Sequence, residues 1–158
     1  MFDTIAGLPV HILVVHAAVV LVPLMALVTL AFTVRPKWRP GLVWAVLGDA
    51  LCVVVSLVAK ESGEHFEHRL GLQGTKAVEE HAEYGDKLFV FAVALLVAAV
   101  VAWVLVARRP APGTGAVAAA VLIVVVAGVA ATTWTVLTGD SGSRAVWEDV
   151  VKNTNTGS

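Results

Sequence analysis

Four continuous apolar stretches, each of roughly twenty residues, limit what this sequence of 158 residues can fold into. A helix rises about 1.5 Å per residue and a bilayer core is about 30 Å thick, so about 20 apolar residues can cross a membrane. The stretches are rich in alanine and leucine and do not alternate polar with apolar residues, which argues against strands. They cover about residues 10–34, 42–60, 87–107 and 116–137. The sequence therefore predicts an all-α integral membrane protein.

The connections between the stretches predict an antiparallel four-helix bundle. Residues 35–40 and 108–113 are short proline-containing turns, and each leaves its two helices as neighbours that run in opposite directions. A longer polar segment, residues 61–86, joins the second helix to the third. We expect residues 1–158 to form a single four-transmembrane-helix domain.

The distribution of charge predicts the orientation of this bundle in the membrane. The first turn carries Arg35, Lys37 and Arg39, the third connection carries Arg108 and Arg109, and neither contains an acidic residue. Basic connections face the cytoplasm in most membrane proteins. The polar segment 61–86 has an excess of acidic residues, so we expect it and both termini on the outer side.

All five histidines fall in the outer half of this topology, and this placement is the main functional clue. Histidine is the commonest metal ligand among side chains, and an unpaired histidine in hydrocarbon is costly. His16 lies about 7–8 Å deeper than His11 and about 140° from it around the helix, so the two do not bind one ion together. His16 is therefore a candidate ligand, with a hydrogen bond to a neighbouring helix as the alternative.

The polar segment supplies candidate partners for these histidines. Glu64, His65 and His68 share one face of a continued second helix, as do Glu64, Glu67 and His68, and such spacing can bind a metal ion. A solvated charged helix end explains the same residues equally well. After the breaks at Gly71 and Gly74, Thr75 is predicted to cap a helix that carries His81 into the third apolar stretch.

Asp49 is a second ionisable residue inside the membrane, near the middle of the second apolar stretch. An ionised carboxylate there costs a few kcal/mol unless it is protonated, paired or hydrated. With Cys52 and Ser56 it forms a polar stripe at helical spacing, which we expect to face the bundle interior. Asp49 can relay protons or form a structural hydrogen bond.

Several short motifs resemble one family over nearly the whole chain. They are Gly7-Leu8-Pro9-Val10-His11 with Val15-His16, Ser62-Gly63-Glu64 with Glu67, His81-Ala82-Glu83-Tyr84-Gly85-Asp86, and Ser141-Gly142-Ser143-Arg144-Ala145-Val146-Trp147. The family is the bacterial four-helix membrane domain of unknown function 2231, which implies location in a bacterial cytoplasmic (inner) membrane. Two positions depart from its pattern: Ile12 where proline is frequent, and Asp140 where many members have histidine before the closing Ser-Gly. The second departure removes a ligand or replaces nitrogen by oxygen.

The resemblance implies redox work by analogy. The family is similar in layout to small di-haem cytochrome b membrane domains, and some relatives are joined to Rieske iron-sulfur domains, although fold does not fix function. A bis-histidine haem b needs two histidines on different helices at one level, and His16 with His81 is the predicted pair, followed by His11 and His65. The assigned helix boundaries place His16 roughly 9 Å inside and His81 about 10 Å outside the outer edge of the apolar stretches. No histidine is near the cytoplasmic end, so one haem at most is expected.

Two other classes of function stay open at this point. The histidines with Glu64 or Glu67 form a nitrogen and oxygen ligand set that suits a transition-metal ion such as zinc, iron, manganese or copper. Alternatively, the protein is a structural or assembly subunit without a cofactor. In the redox interpretation Glu64, Glu67 and Asp49 tune the local electrostatics, and a redox partner protein docks on the outer face, with oligomerisation open.

Enzymatic and nucleic-acid functions receive little support from the sequence. It contains no nucleotide-binding loop, catalytic triad or hydrolase elbow. The formal net charge of −1 and the membrane helices disfavour nucleic-acid binding. We expect an electron-transfer or binding subunit rather than a stand-alone enzyme.

Overall fold

The protein is a bundle of four long helices in a computed structural model that describes residues 4–5, 8–72 and 74–155. The helices are α1 (Val10–Val34), α2 (Leu42–Leu70), α3 (Lys76–Ala102) and α4 (Thr114–Asn155). Four segments built on them are long and apolar enough to cross a membrane. Two-residue strands, β1 (Thr4–Ile5) and β2 (Leu8–Pro9), pair antiparallel just before α1. The predicted all-helical membrane architecture is confirmed.

Two short connections form one end of the bundle, which we call the turn end. A 3-10 helix (Pro36–Gly41) joins α1 to α2, and a π-helical turn (Trp103–Ala107) ends the third membrane segment. The guanidinium of Arg35 lies 4.1 Å from the ring centroid of Trp38, and that of Arg108 lies 5.1 Å from Trp103. Basic and aromatic side chains thus meet at this end, as expected at a membrane interface.

The opposite end, which we call the histidine end, contains the start of α1, the connection of α2 to α3 and the later part of α4. There the helices extend past the apolar stretches. α2 continues to Leu70 and stops at Gly71, whose φ of 65° is left-handed and suits glycine. Thr75 precedes α3 as predicted, although its side chain makes no capping hydrogen bond. α4 continues to Asn155 and is about 60 Å long, twice the thickness of a bilayer core.

The four helices form a ring in which sequence neighbours are also neighbours in space. α1 and α3 each pack against both α2 and α4, so α1 and α3 lie on one diagonal of the bundle. Small buried residues let the helices approach closely, among them Ala45, Ala98 and Ala120. Large apolar side chains such as Leu27 and Val126 are exposed on the outside, where they contact the lipid bilayer.

Candidate functional site

Two histidines on diagonal helices meet at the histidine end. His11 lies in the first turn of α1 and His81 in the second turn of α3. Their ring centroids are 6.1 Å apart, and the ring planes are inclined by 80°. Because α1 and α3 are diagonal, this contact lies on the long axis of the bundle, at its histidine end. We call His11 and His81 the histidine pair; both side chains are half-buried.

His11 is oriented by the neighbouring helix α2. Its Nδ1 donates a hydrogen bond to the carbonyl oxygen of Ala59 at 2.9 Å, and its ring stacks on Phe66 with centroids 6.2 Å apart. Since a carbonyl oxygen only accepts, Nδ1 carries the proton. The neutral ring therefore keeps the lone pair of Nε2 free for another partner.

His81 is oriented in the same way by α4, through a side chain. Its Nδ1 lies 3.1 Å from the hydroxyl oxygen of Ser141, and that hydroxyl donates its proton to the carbonyl of Thr138 at 3.0 Å. With the serine proton on that carbonyl, the assignment that satisfies both groups has Nδ1 of His81 as the donor and leaves the lone pair on Nε2. Metal-ligating histidines are commonly held by such a second hydrogen bond.

Each imidazole also lies directly against a glycine. A Cβ atom built on Gly63 would stand 2.9 Å from Cε1 of His11, and one built on Gly142 would stand 2.9 Å from Cε1 of His81. Real Cβ atoms essentially never come so close to another heavy atom. Glycine at these two positions is therefore what lets the rings lie against α2 and α4.

The site repeats within the two helical hairpins, α1 with α2 and α3 with α4. In each hairpin a histidine near the start of the first helix lies against the glycine of a Ser-Gly pair in the second. The correspondence continues along both helices as pairs of buried residues: Ala18 with Leu88, Val22 with Ala92, Thr29 with Ala99, Cys52 with Ala131 and Ser56 with Thr135. The bundle thus has an internal two-fold pattern with the histidine pair on its diagonal.

The remaining histidines lie away from this pair. His16 is exposed, and its Nδ1 lies 2.6 Å from the carbonyl oxygen of Ile12 in its own helix. The structure brings His11, and not the predicted His16, to His81, because five residues of helix turn His16 to another face of α1. His65 and His68 are exposed on the last turns of α2.

The acidic candidates do not join the histidine pair in a metal site. Glu64 is exposed and lies 3.9 Å from Nζ of Lys60, while Asp140 pairs with Nε of Arg144 at 2.8 Å. Glu67 is half-buried on α2. Within residues 8–72 and 74–155, no group of three or more His, Cys, Asp and Glu side chains is placed to hold a metal ion.

Asp49 lies below the histidine pair in the core of the bundle, as predicted for a polar residue that faces the interior. It is 0% exposed, and its Oδ2 accepts a hydrogen bond of 2.8 Å from the hydroxyl of Thr29 on α1. Cys52 and Ser56 follow it on the same face of α2 and are also buried.

Sequence reasoning gave no role to the residues that hold the two imidazoles. These are the Ala59 carbonyl, the Ser141 hydroxyl, Gly63 and Gly142. A signal for part of this set was available, because the dipeptide Ser-Gly occurs only at residues 62–63 and 141–142. If this dipeptide is taken as a repeat, residues 62–63 of the second helix correspond to residues 141–142 of the fourth helix.

Comparison with known proteins identifies the family of the chain. A family described as predicted membrane protein, DUF2231, matches residues 7–155. No curated protein and no solved structure matches the chain. Because the family match covers nearly the whole sequence, this four-helix protein belongs to the DUF2231 family of predicted membrane proteins.

Proposed function

We propose that the protein is a membrane electron-transfer subunit that holds a b-type haem between His11 and His81 at the histidine end. The observation that carries this proposal is the partner of each Nδ1, which is the carbonyl oxygen of Ala59 for His11 and the hydroxyl of Ser141 for His81. Each Nδ1 is occupied by a hydrogen bond to α2 or α4, so each ring offers Nε2 as a ligand. Two histidines on diagonal helices, each held by a second hydrogen bond, match the way helical bundles bind cofactors in their cores.

The number of ligands favours haem over a bare metal ion. Structural zinc sites take four protein ligands and catalytic zinc sites take three, whereas a haem iron between two histidines needs only two. The described residues offer two histidines and no third ligand. A haem supplies an iron centre that cycles between ferrous and ferric states, which is the chemistry of an electron carrier.

The distance between the rings would let both imidazoles bind one metal. Metal–nitrogen bonds of about 2.0–2.1 Å place the centroids of two such imidazoles about 6 Å apart. The observed separation is 6.1 Å. His11 and His81 would be able to hold one iron between them, and the number of ligands rather than this distance favours haem.

The position of the pair suits exchange of electrons with another protein. Both imidazoles are half-buried at the end of the bundle rather than at its middle. The five basic residues of the turn end favour a cytoplasmic position for that end, which puts the histidine end on the outer side of a bacterial inner membrane. A redox partner on the outer face then comes close to the cofactor.

Optical spectroscopy of the purified protein, with haem available during expression, tests this function. We expect a reduced-minus-oxidised spectrum with Soret and alpha bands, lost in His11→Ala and in His81→Ala. His16→Ala is the matched control, because His16 is exposed and should leave the bands unchanged. If the purified protein contains a stoichiometric metal but shows no haem bands, the cofactor is a bare metal ion and not haem. Absence of both would leave the role of a structural or assembly subunit and overturn the proposal.

A further inference from the structure

The second unusual site of the bundle is the buried carboxyl group of Asp49. Only one of its oxygens has a partner: Oδ2 accepts from Thr29, while Oδ1 has none among the described residues. No ion pair in the described part of the chain includes Asp49. The adjacent Cys52 packs in a cluster of buried apolar residues: Val22, Ala26, Leu88, Leu95 and Ala131.

These surroundings favour the neutral, protonated form of the carboxyl group. A buried charge without a counter-ion is expensive, and a carboxyl group avoids this cost by keeping its proton. One hydroxyl donor does not replace the hydration of a carboxylate. The only other titratable side chain close by on its face of α2 is Cys52, which supplies no positive charge.

The second hairpin shows that the fold does not require a polar pair at this level. Thr29 corresponds to Ala99, because each has the same spacing from the histidine of its own hairpin. Asp49 corresponds to Gly128, because each has the same spacing from the glycine that the histidine contacts. Ala99 and Gly128 therefore suffice for packing in the second hairpin. Thr29 and Asp49 have a role other than packing.

A line of residues on α2 leads from Asp49 to the histidine pair. Residues 49, 52, 56, 59 and 63 follow one another at alternating steps of three and four, which places them on one helix face. Ser56, about 10 Å above Asp49 by the helical rise, is 3% exposed, and its hydroxyl has no partner among the described residues. The line then reaches Ala59, whose carbonyl accepts from His11, and Gly63, which His11 covers.

We propose that Asp49 is a proton-binding site that exchanges its proton with water at the histidine end through Ser56. In this exchange a water molecule that enters from the histidine end accepts the proton of Oδ1 and gives one of its own protons to the carboxyl group. The carboxyl group is neutral before and after, so no further reactant is needed. Ser56 supplies a hydroxyl that both donates and accepts, and Thr29 keeps Oδ2 oriented. The proposal does not depend on haem or any other cofactor.

Infrared spectroscopy of the whole protein in lipid nanodiscs tests the site. We expect the C=O stretch of a protonated carboxylic acid, which moves to lower frequency when H₂O is replaced by D₂O. Asp49→Asn should remove this band. Thr29→Val should shift it, because that change removes a hydrogen bond but retains the acid, and so identifies the band even if Asp49→Asn does not fold.

The rate of exchange tests the route. Ser56→Ala should keep the band and slow its isotope exchange by about tenfold, a ratio that corresponds to about 1.4 kcal/mol in the barrier. Ser56→Thr, which retains a hydroxyl, should keep the fast rate. Thr135→Ala is the matched control, since Thr135 is the buried hydroxyl at the corresponding place in the second hairpin and lies off this line. A missing band, a band that never exchanges, or equal rates in Ser56→Ala and the native protein would each overturn the proposal.

Discussion

The two hairpins share part of one frame, and their differences separate what the fold needs from what one hairpin adds. Both place a histidine against a glycine, and several buried positions correspond between them, including Ala18 with Leu88 and Ser56 with Thr135. Nearer the turn end, however, the first hairpin has Thr29 and Asp49, whereas the second has Ala99 and Gly128. The shared residues build the bundle and the histidine pair; the unshared polar residues introduce a different chemistry.

The hairpins also differ in how each imidazole is held. The backbone carbonyl of Ala59 accepts from His11, whereas the side chain of Ser141 accepts from His81. A backbone acceptor is present whatever the side chain, but a serine hydroxyl can be removed by substitution. Substitution can therefore remove the Ser141 acceptor of His81, although the backbone carbonyl of Thr138 also interacts with this imidazole.

The largest effect is expected when the second hairpin receives the carboxyl group of the first. Gly128→Asp places an acid in the core where Ala99 offers no hydroxyl, and a carboxyl group in that environment costs on the order of 3 kcal/mol. We expect a large fall in the unfolding temperature in detergent, followed by circular dichroism. Gly128→Ala is the control for size, because its Cβ would lie 3.2 Å from that of Ala26, a tight but adjustable contact.

Adding Ala99→Thr to Gly128→Asp recreates the polar pair and sharpens the comparison. The new hydroxyl should restore about 1 kcal/mol of the lost stability through one hydrogen bond. If Gly128→Asp is as stable as Gly128→Ala, the core accepts an acid without a donor. The two hairpins would then tolerate a buried acid equally well at this level.

Substitution of the two glycines that contact the histidine pair, Gly63 and Gly142, should have the next largest effect on stability. Gly142→Ala should destabilise the bundle by about 1–3 kcal/mol, because the added Cβ forces His81 from its place in a tightly packed contact. Gly139→Ala on the same helix should be neutral or stabilising, since alanine favours helix by about 1 kcal/mol and its Cβ would meet Val19 at an ordinary 3.9 Å. Thermal unfolding of both variants, with Gly63→Ala for the first hairpin, measures the difference.

Equal stability of Gly142→Ala and Gly139→Ala would show that His81 moves aside freely. A loss confined to Gly63→Ala would instead break the equivalence of the hairpins, because it would leave only His11 closely packed.

The membrane helices could be predicted from the sequence, and α1 follows the predicted bounds of 10–34. Hydropathy locates apolar stretches because the bilayer imposes length and composition on them. It does not show where a helix ends in water, so the continuation of α4 from Thr138 to Asn155 was not predicted. That stretch is helical although it lies beyond the apolar window.

The sequence predicts His16 as the partner of His81, whereas the structure brings His11 to it, for a related reason. The sequence prediction places the start of the third membrane helix at about residue 87, whereas α3 begins at Lys76. Because α1 starts at Val10 and α3 at Lys76, His11 in the first turn and His81 in the second turn lie at the same depth in the bundle. Rotation around the helix then decides between His11 and His16, and rotation relative to other helices is not encoded in hydropathy.

A smaller effect is expected from removing the acceptor of His81. Ser141→Ala should cost about 1 kcal/mol of stability and let the proton of the imidazole move between its two nitrogens. Nitrogen NMR of the labelled rings should then show mixed tautomers for His81 and an unchanged Nδ1–H tautomer for His11. In the proposed haem protein the same change should weaken cofactor binding by about 10- to 100-fold.

Ser62→Ala is the matched control in the first hairpin. The hydroxyl of Ser62 shares the Ala59 carbonyl with His11, at 3.1 Å, so its removal leaves the acceptor of His11 in place. We expect both histidines to keep their tautomers. Mixed tautomers of His11 in this variant would contradict the distinction between a backbone and a side-chain acceptor.

The ion pair between the hairpins should have the smallest effect. Nζ of Lys60 on α2 lies 2.8 Å from Oδ1 of Asp86 on α3, and both side chains are substantially exposed. Exposed pairs contribute about 0.2–1 kcal/mol and are screened by salt. Asp86→Asn should therefore lower the unfolding temperature slightly at low salt and hardly at all at high salt. Glu83→Gln, which removes the pair with Lys87 inside α3, should do the same.

A loss above about 1 kcal/mol that persists in salt would exceed the range for exposed pairs. The hairpins would then be joined by this pair, rather than by the apolar packing of α2 against α3 and of α1 against α4.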